Sequence, residues 1–464
     1  MDQALAGILA KTMTISRRSF LASGLAAGPL ALNPPFGSFP GPFPGSLEIL
    51  TQDPRPTDRV RRFENMAFGL FVHWGLYSQL GAGEWVKKLH GIDTSRYMEL
   101  MNTFTAKDFS GRELARVAKH AGMRYITLTS RHHDGFSLYD TAGLSPYDVT
   151  KTPAGRDLIA DFCEGCRDEG IVPMLYCTTL DWTDPRFEHD WKGYQEYLRA
   201  SIRRLCTRYG PIGGFWFDGN WSKKDADWET DKLYAVIREH QPEALIINNT
   251  GLEQGGKLTH DEIDAVTFER GRPSPLDRSG MKKYVTGEMC LTFNQHWGIA
   301  TNDFNLLSPA HVIEELLLCR RAGANLLMNV GPTAEGRVPD YERAALARVG
   351  DWIRLHGGDR ATLYEGRPER MRGTERDFAL RHGETIDLYV FDITTTASTM
   401  HGVHSRGAGK RRFEGVPAEF DRAIWLDDGS AATIERDGDT LVLDAKKWRY
   451  GTNTVVRVAR LSQA

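Results

Sequence analysis

From about residue 64 the chain alternates short apolar runs with longer stretches whose apolar positions recur at helical spacing. The apolar runs Phe68–Trp74, Arg124–Ser130, Ile171–Cys177, Gly213–Asp218, Ala244–Asn249, Ala265–Glu269, Gly287–Thr292 and Asn325–Val330 read as strands. The amphipathic stretches Gly111–His120, Asp157–Glu169, Trp191–Tyr209, Asp225–His240, Pro309–Ala322 and Tyr341–Leu355 read as helices. Strands and helices in alternation predict a (β/α)8 barrel over residues 46–356. The alternation falters around Ala265–Glu269. Lys257–Ile263 is short for a helix, and Gly271–Lys283 carries Pro273 and Pro275, so the barrel is expected to be irregular on that side. No internal repeat is evident.

After His356-Gly-Gly358 the pattern changes to a period of two, as in Phe378-Ala-Leu-Arg381 and Thr433–Leu443, with a hairpin signal at Asp437-Gly438. Residues 359–464 are therefore expected to form a β-sandwich packed on the barrel, with carbohydrate binding as an alternative role. The other end of the chain does not read as fold. Ser16-Arg-Arg-Ser-Phe-Leu21 precedes a short apolar run to Leu32, the pattern of a twin-arginine export signal. That run is about half the length of a membrane span. Asn33–Gly45 is rich in Pro and Gly and reads as a linker. The expectation is an exported protein, periplasmic or extracellular, with residues 1–45 outside the fold and no membrane span in the mature chain.

Composition narrows the class. With 58 Lys and Arg against 61 Asp and Glu, the 464-residue chain carries a net charge of −3, so no basic field exists to attract nucleic acid. Six cysteines are too few for a disulfide scaffold at this length. The closest pair, Cys163 and Cys166, falls in a helical stretch with no second pair to complete a zinc ribbon, and reads as structural.

In a barrel of this kind, chemistry gathers at the C-terminal ends of the strands. Those ends read His73-Trp74, Arg131-His132-His133-Asp134, Tyr176, Trp216-Phe217-Asp218, Asn248-Asn249, Glu269 and Asn329. Carboxylates, histidines and aromatics on one face suit sugars, whose faces stack on rings and whose hydroxyls need paired hydrogen bonds. Two carboxylates in one pocket suit glycoside hydrolysis. Asp218 also fits an ordinary turn position, but two aromatics precede it. His132 and His133, as neighbours on a strand, are expected to point to opposite sides, which argues against a shared metal.

The segments Phe68-Gly-Leu-Phe-Val-His-Trp-Gly-Leu-Tyr77, Gly83-Glu-Trp85, Thr127–Phe136, Trp216-Phe-Asp218 and Asn325-Leu-Leu-Met-Asn-Val-Gly-Pro332 together resemble the landmarks of glycoside hydrolase family 29, the retaining α-L-fucosidases. The resemblance runs in order over roughly residues 64–340 and extends to the two-domain plan. It implies that Asp218 is the nucleophile, and that His73, Glu84, Trp85, His132, His133, Tyr176 and Trp216 hold the fucose. It implies no metal or organic cofactor, since the chemistry needs only two carboxyl groups about 5 Å apart. The implied partner is a fucosylated oligosaccharide or glycoconjugate.

The acid/base falls where the family varies. Glu269 lies at the end of the sixth strand and is favoured. Glu288 occupies a family landmark but lies near the start of its strand, away from the mouth, and Gly287 stands where an aromatic commonly precedes it. Two other readings stay open: a catalytically silent carbohydrate-binding protein on this fold, and a retaining hydrolase of a related sugar such as galactose.

Overall fold

The structure, a computed structural model, describes residues 54–249, 258–398, 402–449 and 451–463. The export pattern, the linker and Lys257 lie outside these residues.

Eight parallel strands close into a barrel in sequence order: β1 (Phe68–Val72), β2 (Tyr125–Arg131), β3 (Val172–Thr178), β4 (Gly214–Asp218), β5 (Leu245–Asn249), β6 (Ala265–Glu269), β7 (Thr286–Thr292) and β8 (Ala324–Val330). Each lies within two residues of its expected place, because a parallel strand buried on both faces reads as an uninterrupted apolar run. Helix α1 (Asp58–Glu64) precedes the barrel and α2 (Gly111–His120), α3 (Leu158–Glu169), α4 (Trp191–Arg208), α5 (Thr230–His240), α6 (Pro309–Arg321) and α7 (Asp340–Leu355) wrap it. Local chemistry sets their starts. Ser110, Asp157, Asp190 and Ser308 each accept a backbone N–H of the following first turn, and Pro309 opens α6.

Helix α5 starts five residues later than the periodicity predicts. Residues 225–229 instead form part of a loop, because Glu229 takes a left-handed φ of 45° immediately before Thr230. The expected irregular side is present. Residues 258–264 and 270–285 contain no helix, and β5 and β6 share the single register pair Ile247–Ala265.

Helix α1 closes the barrel floor. Val60 and Phe63 join Phe71, Tyr125 and Trp216 in one buried cluster. Arg59 donates to both oxygens of the buried Asp264, which also receives Arg238 and the N–H of Ile246. Burial pushes the Asp264 carboxyl up, but Arg59 and its other cationic partners outweigh it and hold the group below the usual range.

The tail comprises β9 (Arg367–Gly373), β10 (Phe378–His382), β11 (Thr385–Val390), β12 (Thr394–Ser398), β13 (Gly402–Arg406), β14 (Gly409–Glu414), β15 (Arg422–Trp425), β16 (Ile434–Asp437), β17 (Thr440–Ala445) and β18 (Arg457–Ser462). Eight of them form one antiparallel sheet in the order β15-β18-β11-β10-β9-β14-β17-β16, and β12 pairs with β13. Ile386, Leu388 and Leu461 from one half of the sheet share a core with Phe413, Leu441 and Leu443 from the other. The sheet thus curls over itself as a sandwich-like domain. The hairpin signalled at Asp437-Gly438 is present, but its two-residue turn is Gly438-Asp439, with Gly438 at φ 58° and Asp437 paired with Thr440 as the end of β16.

Its other face packs on the barrel helices, where Phe378, Leu380, Tyr389 and Val458 enter the main barrel core. The buried Arg320 at the end of α6 donates to the carbonyls of Leu363, Tyr364 and Gly366 in the connecting segment. Among the described residues no helix is long and apolar enough to cross a membrane.

Candidate active site

A cavity of about 830 Å3 opens at the C-terminal ends of the strands. It is lined by His73, Trp85, His132, His133, Tyr176, Trp216, Asp218 and Glu269 among others, so eight sequence-derived candidates meet in one place.

Asp218 ends β4 beside Thr178 on β3 and Asn249 on β5. Its Oδ2 accepts the Tyr176 hydroxyl at 2.9 Å and lies 3.4 Å from His133 Nε2, while Oδ1 accepts Trp221 Nε1 at 2.8 Å. Burial alone raises a carboxyl, but the His133, Trp221 and Tyr176 hydrogen bonds win and hold Asp218 below its ordinary range. Asp218 is therefore an anion at neutral pH. Glu269 ends β6, and burial followed by the Asp218 charge pushes it up to about 7. Asn249 opposes that rise by donating to Glu269 Oε2 at 2.7 Å, its amide oriented by Thr267, which donates to the Asn249 Oδ1. Two carboxyl groups on one cavity are thus driven apart in protonation.

The histidines are oriented by their neighbours. Asn329 Nδ2 donates to the Trp297 carbonyl, so its Oδ1 accepts from His73 Nδ1–H at 2.7 Å. Burial holds His73 down to about 3, which leaves Nε2 bare to accept a sugar hydroxyl. Thr178 donates to the Leu180 carbonyl and accepts from His133 Nδ1 at 2.6 Å, which turns Nε2 toward Asp218. Burial, then the neighbouring His133 and His73, hold His132 well down.

The expectation that His132 and His133 face opposite sides is overturned. Both line the cavity, with ring centroids 4.2 Å apart. Strand β2 shifts register between Thr129 and Arg131 and ends there, and residues 132–135 form a turn in which the Gly135 N–H bonds the His132 carbonyl. Strand alternation does not operate in that turn. Asp134 accepts the Tyr97 hydroxyl and the N–H of Phe136 instead. Among the described residues no three His, Cys, Asp or Glu side chains converge as a metal site needs. All six cysteines are buried thiols without disulfides, Cys163 and Cys166 on one face of α3.

Two candidates sit apart from the cavity wall. Glu84 is buried and its Oε2 accepts the N–H groups of Trp297 and Gly298, both at 2.9 Å. It thereby seats Trp297, whose ring lies 5.1 Å from His73 and 5.7 Å from Phe71 in an apolar wall. Glu288 is third in β7 and enclosed below the cavity, between the Tyr125 hydroxyl at 2.6 Å and Trp216 Nε1 at 2.8 Å. Burial pushes it up to about 7 as well, but it does not line the cavity. Sequence reading missed Trp221 and Trp297. Trp221 lies in a single 3-10 turn (Asn220–Lys223) after β4 and Trp297 in a loop after β7, both too short for periodicity to mark an inward position.

The sequence profile of the Alpha-L-fucosidase family matches residues 50–358. The rat tissue alpha-L-fucosidase is 26% identical over 371 residues, 73% of this chain and 76% of the relative. The human tissue alpha-L-fucosidase is 24% identical over 344 residues, 67% of this chain and 70% of the relative. Among solved structures, alpha-L-fucosidase isoenzyme 1 from Paenibacillus thiaminolyticus is 28% identical with a TM-score of 0.76, covering 88% of this chain and 99% of its own. An alpha-L-fucosidase from Bacteroides thetaiotaomicron, 22% identical, shares the fold with a TM-score of 0.74 over 89% of this chain and 96% of its own. With a matched profile over most of the barrel and a carboxylate pair at its mouth, the chain belongs to the α-L-fucosidases of glycoside hydrolase family 29.

Proposed function

We propose that Asp218 is the nucleophile and Glu269 the acid/base of an exported enzyme. As a family member the protein is an exo-acting α-L-fucosidase that releases terminal α-L-fucose from glycans with retention of configuration. The observation that carries the residue roles is the split of two carboxyl groups on one cavity, Asp218 held below its ordinary range and Glu269 pushed up to about 7.

In the first step Glu269 gives its proton to the glycosidic oxygen while an Asp218 oxygen attacks the anomeric carbon. The C–O bond to the aglycone breaks and a glycosyl ester forms. Glu269, now a carboxylate, takes a proton from water, whose oxygen displaces Asp218 and regenerates both groups. His73, His132, His133, Trp85, Tyr176 and Trp216 hold the sugar, and the Phe71–Trp297 wall suits a C6 methyl. Glu84 acts on the sugar site at least through Trp297. For the whole chain we propose residues 1–45 as signal and linker, 46–356 as the catalytic domain and 359–464 as the β-domain. The Arg17-Arg18 pair supports export by the twin-arginine route.

Following hydrolysis of an aryl α-L-fucoside by NMR tests the chemistry. The first anomer released is α-L-fucose. Initial β-L-fucose contradicts a double displacement on Asp218.

A further inference from the structure

A cavity of about 830 Å3 is several times the volume of one deoxyhexose ring, and the residues assigned to fucose line only part of it. The rest is lined from segments that follow β4 and β5: Asn220, Lys224 and Trp228 in the loop after Asp218, Tyr234 on α5, and Thr259 and His260 before β6. The acid must stand beside the glycosidic oxygen, so the aglycone belongs on the side of the cavity bordered by β6 and Glu269. Thr259 and His260, in the segment that leads into β6, line this part of the cavity together with Lys224 and Trp228.

The loop between Asp218 and α5 is held in a costly conformation. Gly219 has φ 109°, and Glu229 has φ 45° without being glycine. Helix α4 pins it: Trp191 Nε1 and Gln195 Nε2 both donate to the Asp227 carbonyl, and Arg199 pairs with Glu229. Trp228 is fixed at its edge, where Nε1 donates to the Lys223 carbonyl at 3.1 Å, and braced by Trp191, whose ring centroid lies 4.8 Å away and edge-on. A rigid, partly buried indole that still lines the cavity is a preformed stacking surface. Beside it, the exposed Lys224 ammonium has no acceptor among the described residues, whereas the Asp227 carboxylate already accepts the Glu229 N–H.

We propose that Trp228 is a stacking platform for the first sugar ring of the aglycone and that Lys224 donates to that ring's hydroxyls, so that fucosylated oligosaccharides are the preferred substrate class. The proposal rests on the fucosidase reading. Its test compares kcat/KM for a fucosylated trisaccharide with that for α-L-fucosyl fluoride, which has no aglycone ring, in the wild type and in Trp228→Ala, Trp228→Phe and Lys224→Met. The trisaccharide-to-fluoride ratio is expected to fall about ten-fold in Trp228→Ala, mostly through KM, and to be largely kept in Trp228→Phe. In Lys224→Met, an exposed and conformationally undemanding change, it is expected to fall about three-fold. The defucosylated core should inhibit the wild type and lose potency in Trp228→Ala. Ratios unchanged in both Trp228→Ala and Lys224→Met overturn the proposal. A wild type that leaves the fluoride intact overturns the fucosidase reading instead.

Discussion

Asp218 and Glu269 are both strand-terminal carboxyl groups, and their surroundings shift them in opposite directions. Tyr176 and Trp221 donate to Asp218 and His133 lies beside it, whereas Glu269 has the Asn249 amide alone, deep burial, and Asp218 as an anionic neighbour. Asp218→Asn removes the proposed nucleophile and should lower kcat by about 10^4-fold or more with folding intact by circular dichroism. Glu269→Ala should cripple natural fucosides, spare the first step of dinitrophenyl-type substrates, and be rescued by azide as an α-fucosyl azide. Rescue at Glu288→Ala and none at Glu269→Ala would reverse the assignment.

The pH profile follows from the same pair. Glu269 must be protonated for the first step, so kcat/KM should fall as pH rises through about 7. Asn249→Ala removes a donor that favours the Glu269 carboxylate, so this basic limb should move upward; a downward shift contradicts the assigned contact. These residues were legible because each ends a strand. The protonation split was not, since it depends on Trp221 and on Tyr176, Asn249 and His133 meeting across three strands.

At the scale of elements, the sequence revealed the strands well because burial on both faces leaves continuous apolar runs. It failed where a strand gives way to a turn, at His132-His133, and where loop packing overrides helical periodicity, at residues 225–229. The contact between α2 and α3 was equally invisible. A Cβ on Gly165 would lie 2.1 Å from the Arg112 nitrogen, and one on Gly111 would lie 2.2 Å from the Asp161 carbonyl oxygen. The two helices approach backbone to backbone, which only glycine allows. Gly165→Ala should therefore cost about 1–3 kcal/mol in denaturant unfolding, with kcat retained below the transition. A stability within error of the wild type would show that the helices can separate freely.

For the whole molecule, the β-domain was legible as period-two alternation, but its attachment was not. Arg320 reads as one more charged helix position, yet it is buried and donates to three carbonyls of the connecting segment. Export belongs to this scale too. Lysine keeps the charge of Arg17 and Arg18 but not the guanidinium fork, so replacing both should retain the precursor in the cytoplasm on fractionation. Mature protein still reaching the outside would point to another route. The central claim, that a double displacement runs through the β4 carboxylate, is tested most directly by trapping the enzyme with a 2-fluorinated fucosyl fluoride and mapping the adduct by peptide mass spectrometry. The account predicts one deoxyfluorofucosyl ester, on Asp218. An adduct on Glu269, Glu288 or Glu84 would contradict it.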